Sequence, residues 1–129
     1  EDVDLFLSQP DLSTYKGIRD KAMLELVYAT GIKATQLINL KVQDVDTKAE
    51  IITCNTENER RTVPYGSFCA ESINRYIEVS KEKERNEYFF TNLSGTKMSR
   101  QGFWKIIKYY KKYGSNWCDS ISNGFSHIT

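Results

Sequence analysis

The chain has 129 residues, and its 18 Lys and Arg side chains nearly cancel its 17 Asp and Glu side chains, leaving a net charge of +1. A chain of this length buries roughly two thirds of its unfolded surface, so one domain with a real core is expected, with no boundary inside 1–129. So small a net charge predicts neither a nucleic-acid binder nor a membrane binder. No apolar run is long enough to span a membrane and the start does not resemble a signal peptide, so a soluble, cytoplasmic protein without a membrane partner is expected.

Cysteine and histidine content bears on metal chemistry. The three cysteines, Cys54, Cys69 and Cys118, follow no ligand spacing, and the chain has one histidine. A zinc site would therefore have too few ligands, and we expect no bound metal. All three cysteines are interpreted as buried thiols.

The first predicted element is a helix over the run DKAMLELVYAT, which is apolar nearly all round. This pattern is typical of a helix buried on most sides, so this element should form the core. Gly31 stands where a left-handed C-terminal cap is needed, and Thr35 is predicted to N-cap a short helix over QLINL. Lys33 is left in the elbow between the two helices, where it is either a solvated loop residue or a cation aimed at an anionic group.

Three short β-like runs follow: VQDV, EIITC and RRTVP, the last two joined by the polar turn NTENE. They predict a small antiparallel sheet. A helix resumes at Ser67 with an apolar stripe, and the later YFF indicates a short buried strand or extended segment. The expected fold class is α+β, mostly α-helical with a small antiparallel β-sheet.

The segment GTKMSRQGFWKIIKYYKKYG predicts an amphipathic helix with a cationic face. From Thr96 to Gly114 it carries six Lys or Arg and no Asp or Glu. At about 100° per residue, one arc is apolar and the other basic. The apolar arc holds Phe103, Ile106, Ile107, Tyr110 and Tyr113; the basic arc holds Lys105, Lys108, Lys111 and Lys112. The basic arc is either a solvated lysine face or a surface for phosphates, with Ser99, Arg100 and Gln101 supplying donors at the helix start.

Four blocks of the sequence carry a family resemblance. They are GIRDKAMLELVYATGIKATQLINLKVQDVD, RTVPYG, YFFTNLSGTKMSRQGFWKIIKYY and FSHIT, in that order over nearly the whole chain. The sequence resembles the catalytic domain of tyrosine recombinases, the phage integrase family, most closely its Xer-like branch. The resemblance implies cutting and rejoining of DNA through a 3′-phosphotyrosine intermediate without metal or cofactor. Two Arg, a Lys from a β-hairpin turn and His or Trp groups would neutralise charge at the phosphate.

The resemblance also assigns positions at which this chain departs from the family. Lys33 stands where the family has its first catalytic Arg, and Gln36 stands where a Glu would support that Arg. Thr56 aligns with the hairpin Lys, and His127 aligns with the first residue of a His-x-x-Arg motif. The Arg of that motif and the Tyr nucleophile would lie beyond Thr129. The chain is therefore expected to be a partial catalytic domain over 1–129 that does not itself recombine DNA.

None of the eight tyrosines matches the nucleophile's position. Tyr28, Tyr76 and Tyr110 fall on apolar stripes, which favours packing roles.

Two functional hypotheses remain open. The first is a recombinase or integrase fragment that binds double-stranded DNA, with other recombinase subunits as further partners and no small-molecule substrate. The second is a degenerate relative that binds DNA or a protein without catalysis. The residues expected to contact DNA are Arg61, Lys97, Ser99, Arg100, Gln101, Lys105 and Lys108, together with Lys33.

Overall fold

The computed structural model describes residues 7–55 and 58–111. The helices are α1 (Tyr15–Thr30), α2 (Ala34–Ile38), α3 (Gly66–Ser80) and α4 (Arg100–Lys111). A 3-10 turn, Val42–Asp44, precedes the strands β1 (Val45–Asp46), β2 (Ile51–Asn55) and β3 (Arg60–Pro64). The predicted α+β class, mostly helical with a small antiparallel sheet, is confirmed.

The three strands form one antiparallel sheet in the order β1-β2-β3. In β2, Ile52 and Cys54 are buried while the residues between them are less so, as expected for a strand with one face on the core. The run VQDV, predicted as a strand, is mostly the 3-10 turn. The Asp44 carboxylate accepts a hydrogen bond from the Lys41 backbone N–H (3.0 Å), and this contact favours a turn over an extended chain.

Helix α1 forms the centre of the core, as predicted. Met23 and Leu26 are fully buried, and α1 packs chiefly on α3, where Tyr76 is also fully buried. The Tyr76 ring stacks on Phe90 at 5.2 Å between centroids, and its hydroxyl donates to the Phe89 carbonyl at 2.9 Å. This contact anchors the YFF segment in the core.

One tyrosine differs from its predicted packing role. Tyr28 lies near the end of α1 and is 49% exposed, because the last turn of the helix extends past the elements that cover the rest. Tyr76 and Tyr110 are buried as predicted.

The ends of α1 and the start of α2 shape the elbow that holds Lys33. Gly31 has φ 70°, the left-handed conformation expected of a C-cap, and its N–H donates to the Val27 carbonyl at 2.8 Å. Thr35 is not the N-cap of α2. The helix begins at Ala34, two residues before the predicted start at Gln36. The reason is that the Gln36 side-chain oxygen accepts the Lys33 N–H at 2.9 Å, which makes Lys33 the N-cap.

Two of the predicted buried thiols can be placed. Cys54 and Cys69 are buried and not disulfide-bonded. Cys118 lies outside the described residues.

None of the helices in the described ranges is both long enough and apolar enough to cross a bilayer.

Candidate nucleic-acid interface

Lys33 is exposed at the elbow, and its neighbours Ile32 and Ala34 are buried. The two apolar anchors direct the lysine away from the core. Within residues 7–55 and 58–111, no carboxylate forms an ion pair with it. The oxygen of Gln36 is held by the Lys33 backbone N–H, so this side chain caps the helix and supplies no negative charge to orient a cation. Lys33 is therefore an exposed cation with no carboxylate partner among the described residues.

Helix α4 has the amphipathic arrangement that its sequence predicts. Phe103, Ile106, Ile107 and Tyr110 are buried, whereas Gln101, Lys105 and Lys108 are exposed. The predicted members Lys112 and Tyr113 lie outside the described residues. Because α2 packs against α4, the elbow that carries Lys33 is brought close to this cationic helix.

The start of α4 combines a side-chain cap with unpaired backbone donors. The Ser99 hydroxyl accepts a hydrogen bond from the Gly102 N–H at 2.9 Å. Ser99 therefore acts as a cap, and its remaining hydroxyl hydrogen is the part that can reach a phosphate oxygen. Arg100 is half-buried and Gln101 is exposed beside it. The first N–H groups of a helix favour an anion, so this end suits a phosphate electrostatically.

Lys97 projects from a tightly hydrogen-bonded turn just before α4. The side-chain oxygen of Asn92 accepts hydrogen bonds from the backbone N–H groups of Ser94 (2.9 Å) and Thr96 (3.1 Å). The side-chain nitrogen of Asn92 donates to the Thr96 hydroxyl at 2.7 Å. At Gly95 φ is 85°, and a Cβ there would lie 2.2 Å from the Glu84 carbonyl oxygen. Glycine is thus required by both the dihedral and the close approach. The turn presents Lys97 from a fixed backbone.

The β-hairpin contributes Arg61, which is exposed and lies opposite Cys54 in the register of β2 and β3. A cleft of about 230 Å³ separates α2 from this hairpin, and Gln36 and Asn55 both line it. Helix α2 and the end of β2 therefore both border one cleft. Thr56, the position aligned with the family's hairpin Lys, follows directly and is outside the described residues.

A buried ion-pair network connects α1 to the basic helix. The Asp20 carboxylate lies 2.8 Å from both Lys16 Nζ and the Arg19 guanidinium. It also accepts the Tyr110 hydroxyl at 2.8 Å, and Arg19 donates to the Thr91 carbonyl at 3.2 Å. Burial, followed by the nearby Asp20 charge, raises the pKa of Tyr110, so its hydroxyl stays a donor. Through this network, both α4 and the segment that contains Thr91 are attached to helix α1.

The structure brings some of the predicted residues together and leaves others outside its range. One turn and one helix carry Lys97, Ser99, Arg100, Gln101, Lys105 and Lys108. Lys33 lies at the start of α2, which packs on that helix. Arg61 is on the separate hairpin. Of the three residues aligned with catalytic positions, Lys33 alone is described, since Thr56 and His127 lie outside the described residues. The catalytic assignments therefore stay predictions.

Sequence reasoning missed two kinds of residue near this surface. Arg19 and Asp20 are buried and support α4, although Asp20 had the signature of a polar interruption in an apolar helix. Lys41 and Tyr88 pair across an isolated antiparallel bridge that joins distant parts of the chain. The sequence signal for Arg19 and Asp20 was two adjacent charged residues beside an otherwise apolar run. No local pattern predicted the pairing of Lys41 with Tyr88.

Comparison with known proteins was consistent across sequence and structure. The profile of the phage integrase family matches residues 2–123. Tyrosine recombinase XerD of Listeria innocua serovar 6a is 39% identical over 114 residues, which cover 84% of this chain and 38% of that protein. The crystal structure of XerA recombinase superposes with a TM-score of 0.76 at 19% identity, covering 87% of this chain and 40% of the other. XerH recombinase bound to a palindromic difH substrate gives a TM-score of 0.70 at 16% identity, covering 86% of this chain and 33% of the other.

The chain thus spans less than half the length of each of these relatives. The two structural matches have low sequence identity and show a shared fold. The sequence match and the family profile extend over most of the chain.

Proposed function

The chain belongs to the phage integrase family of tyrosine recombinases, and on that premise we propose that its basic surface binds the phosphate backbone of double-stranded DNA. We call the set Lys33, Lys97, Ser99, Arg100, Gln101, Lys105 and Lys108 the basic surface. In an intact relative the same domain would take part in cutting and rejoining DNA. Arg61, on the neighbouring hairpin, is a further candidate contact.

The observation that carries the proposal is the one-sided charge of α4 and its preceding turn. Lys97, Lys105 and Lys108 are all exposed, and in the described parts of the chain none of them forms an ion pair with a carboxylate. On a surface helix without such a ligand, interspersed acidic residues would lower the repulsion among lysines. Lys97 lies beside the N-terminus of α4, and Lys105 and Lys108 continue the cationic face along the helix. A row of cations without carboxylate partners favours a polyanion. The DNA-bound XerH structure, which shares the fold, supports DNA as the polyanion.

We also propose that this chain binds DNA without cleaving it. The support is at the elbow, where Lys33 offers a single point charge in place of a planar guanidinium and Gln36 is a neutral helix cap. A lysine cannot hold two phosphate oxygens with the fixed fork of an arginine. On a nicked suicide duplex we therefore expect no covalent protein–DNA adduct after denaturing electrophoresis. A phosphotyrosine adduct formed by this chain would contradict the proposal.

The test of DNA binding is a salt titration. Fluorescence anisotropy of a labelled duplex should give dissociation constants of about 10⁻⁴ to 10⁻⁶ M at physiological salt, with little dependence on sequence. Replacing Lys105, Lys108 or Arg100 by Gln should make the slope of log affinity against log salt shallower by about 0.9 for each lost phosphate contact.

Matched control variants come from the far end of α3. Lys81→Gln and Lys83→Gln remove the same charge from a mixed-charge segment, where Lys81 pairs with Glu78 at 3.3 Å. We expect them to keep the parent slope. Equal slopes in all five variants would mean that the lysine face is only solvated.

That outcome would favour the second candidate, a recombinase-like module that binds a protein partner. One observation supports it independently: a cavity of about 700 Å³ opens beside α4, and the Leu93 and Tyr109 side chains on its wall are 68% and 60% exposed. Apolar exposure of this kind is typical of interaction sites.

Other recombinase subunits are proposed as further partners, because strand exchange joins two duplexes. A cytoplasmic location is proposed as well, since the Xer relative is a bacterial protein and bacterial DNA lies in the cytoplasm.

A further inference from the structure

The half-buried ring of Tyr88 lies next to two lysines that come from distant parts of the chain. Lys97 Nζ is 5.1 Å from the ring centroid, and Lys41 Nζ is 5.9 Å from it. Both distances fall within the range of cation–π attraction. Each ammonium group keeps N–H donors that can point away from the ring.

The backbone around Tyr88 holds this arrangement in place. Lys41 and Tyr88 form an antiparallel bridge, flanked by hydrogen bonds from the Phe89 N–H to the Leu40 carbonyl (2.8 Å) and from the Val42 N–H to the Glu87 carbonyl (2.9 Å). Lys97 is in turn bridged to Thr91 and follows the Asn92 turn. The ring and both lysines are therefore supported by ordered backbone on each side.

The local charge is not balanced. Glu87 lies 3.3 Å from Lys41 Nζ and compensates that cation, and its side chain is 65% exposed. Lys97 forms no ion pair in the described portion of the chain. The Asp44 carboxylate also lies here, since it accepts the Lys41 backbone N–H, and the Arg85 guanidinium donates to the carbonyl of the tyrosine. Three cations with two carboxylates leave one positive charge in excess. An arriving anion would satisfy Lys97 directly and would compete with Glu87 for Lys41.

We propose that Lys41 and Lys97 form a phosphate contact for the DNA backbone, with Tyr88 as the positioning residue and Glu87 as an internal competitor. The proposal rests on the DNA-binding function proposed above. The aromatic ring restricts the lysines before DNA arrives, so less rotamer freedom is lost on binding. Glu87 occupies one of the two cations until a phosphate replaces it.

The ring can be tested by comparing Tyr88→Phe with Tyr88→Leu in the full chain. The phenyl ring keeps the π face, so Tyr88→Phe should bind the labelled duplex as the parent does. Tyr88→Leu removes the π face and should weaken the affinity for the labelled duplex about two- to fivefold, as expected for an exposed cation–π contact. In a Lys97→Gln background the same Leu substitution should have a smaller effect, because one of the two cations is already gone.

The competitor can be tested with a matched pair of acidic residues. Glu87→Gln should tighten duplex binding, since it frees Lys41. Glu78→Gln removes the same charge from the Glu78–Lys81 pair, which has the same 3.3 Å separation, and should leave binding unchanged. Equal tightening in both variants would reflect net charge alone and would overturn the role of Glu87.

A third readout does not depend on DNA. The NMR signals of the Lys97 side-chain methylenes should be shifted upfield by the ring current in the parent and in Tyr88→Phe, and should return to ordinary positions in Tyr88→Leu. Thermal unfolding of each variant confirms that it folds. Unshifted methylene signals in the parent would overturn the arrangement.

Failure of this inference and failure of the proposed function differ. In one outcome, the salt slope changes in Lys105→Gln and Lys108→Gln, but the affinity is unchanged in Tyr88→Leu and Lys97→Gln. This outcome would support the proposed DNA binding and contradict the phosphate contact at Tyr88. If the affinity of the parent chain for the duplex does not depend on salt, both the proposed DNA binding and the contact at Tyr88 are contradicted.

Discussion

The family resemblance predicts an arginine at the position of Lys33. Both side chains carry one positive charge, so the two residues differ in the geometry of their hydrogen-bond donors. Salt dependence reports charge, whereas affinity at fixed salt also reports geometry. Lys33→Arg should therefore strengthen duplex binding, by about threefold, through a bidentate contact, and leave the salt slope unchanged. Lys33→Gln should make the slope shallower by about 0.9. Lys81→Arg is the control, because Lys81 pairs with Glu78 away from the basic surface. A parent-like slope in Lys33→Gln would remove Lys33 from the interface.

Helix α1 owes its stability to burial on nearly all sides. Leu26 is fully buried, so Leu26→Asp would place a carboxylate without a partner in the core. The expected cost is several kcal/mol, a large part of the about 5–15 kcal/mol that stabilises a domain. Ala29→Asp introduces the same charge at an exposed position in the last turn of the same helix. It should cost only about 1 kcal/mol, from lower helix propensity and repulsion by the terminal carbonyls. Urea denaturation followed by circular dichroism measures both. A Leu26→Asp chain that melts cooperatively at the parent midpoint would show that α1 is not the core.

The contact between α1 and α4 depends on a buried carboxylate with several partners. Tyr110→Phe removes one hydrogen bond and leaves Asp20 paired with Lys16 and Arg19, so a loss of about 1 kcal/mol is expected. Asp20→Asn leaves the buried Arg19 without its counter-charge and should cost about 3–5 kcal/mol. The free energy of unfolding from urea curves distinguishes the two. Similar losses in both variants would mean that Asp20 has no special role in joining the helices.

At the scale of the whole molecule, a buried thiol and a buried tyrosine hydroxyl make the stability of the fold depend on pH under alkaline conditions. Burial, with a smaller contribution from Glu25, raises the pKa of Cys69 from 9.0 to about 12. Burial and the neighbouring Tyr15 raise the pKa of Tyr76 from 10.0 to about 12. Both groups ionise more easily in the unfolded chain, so their stabilising effect is complete below pH 9 and is lost as the pH rises towards 12.

The free energy of unfolding should accordingly fall between pH 9 and pH 12. The Cys69→Ala variant removes one of the two groups and should show a shallower decline over that range, measured by urea midpoints. The same decline in parent and variant would assign the effect to other residues.

The caps and buried faces of the helices could be predicted from the sequence where residues close together in the chain determine them. Gly31 caps α1 because a glycine tolerates positive φ, and Phe103, Ile106 and Tyr110 face the core because a helix repeats every 3.6 residues. The predicted start of α2 was wrong by two residues, since Gln36 rather than Thr35 supplies the capping oxygen and the N-cap is Lys33. The run VQDV was wrong as a strand because the Asp44 side chain closes a turn there.

The sequence by itself determined the family, the fold class and the one-sided charge of α4, because motif order, periodicity and charge are properties of neighbouring residues. Only the tertiary structure decided how Asp20 joins α1 to α4, and how Lys41 and Lys97 meet at Tyr88. Those contacts link residues far apart in the chain, and no local pattern encodes which distant partner a buried carboxylate or an aromatic ring will find. The physical reason is that packing of the core, which sums many weak contacts over the whole chain, decides which distant segments become neighbours.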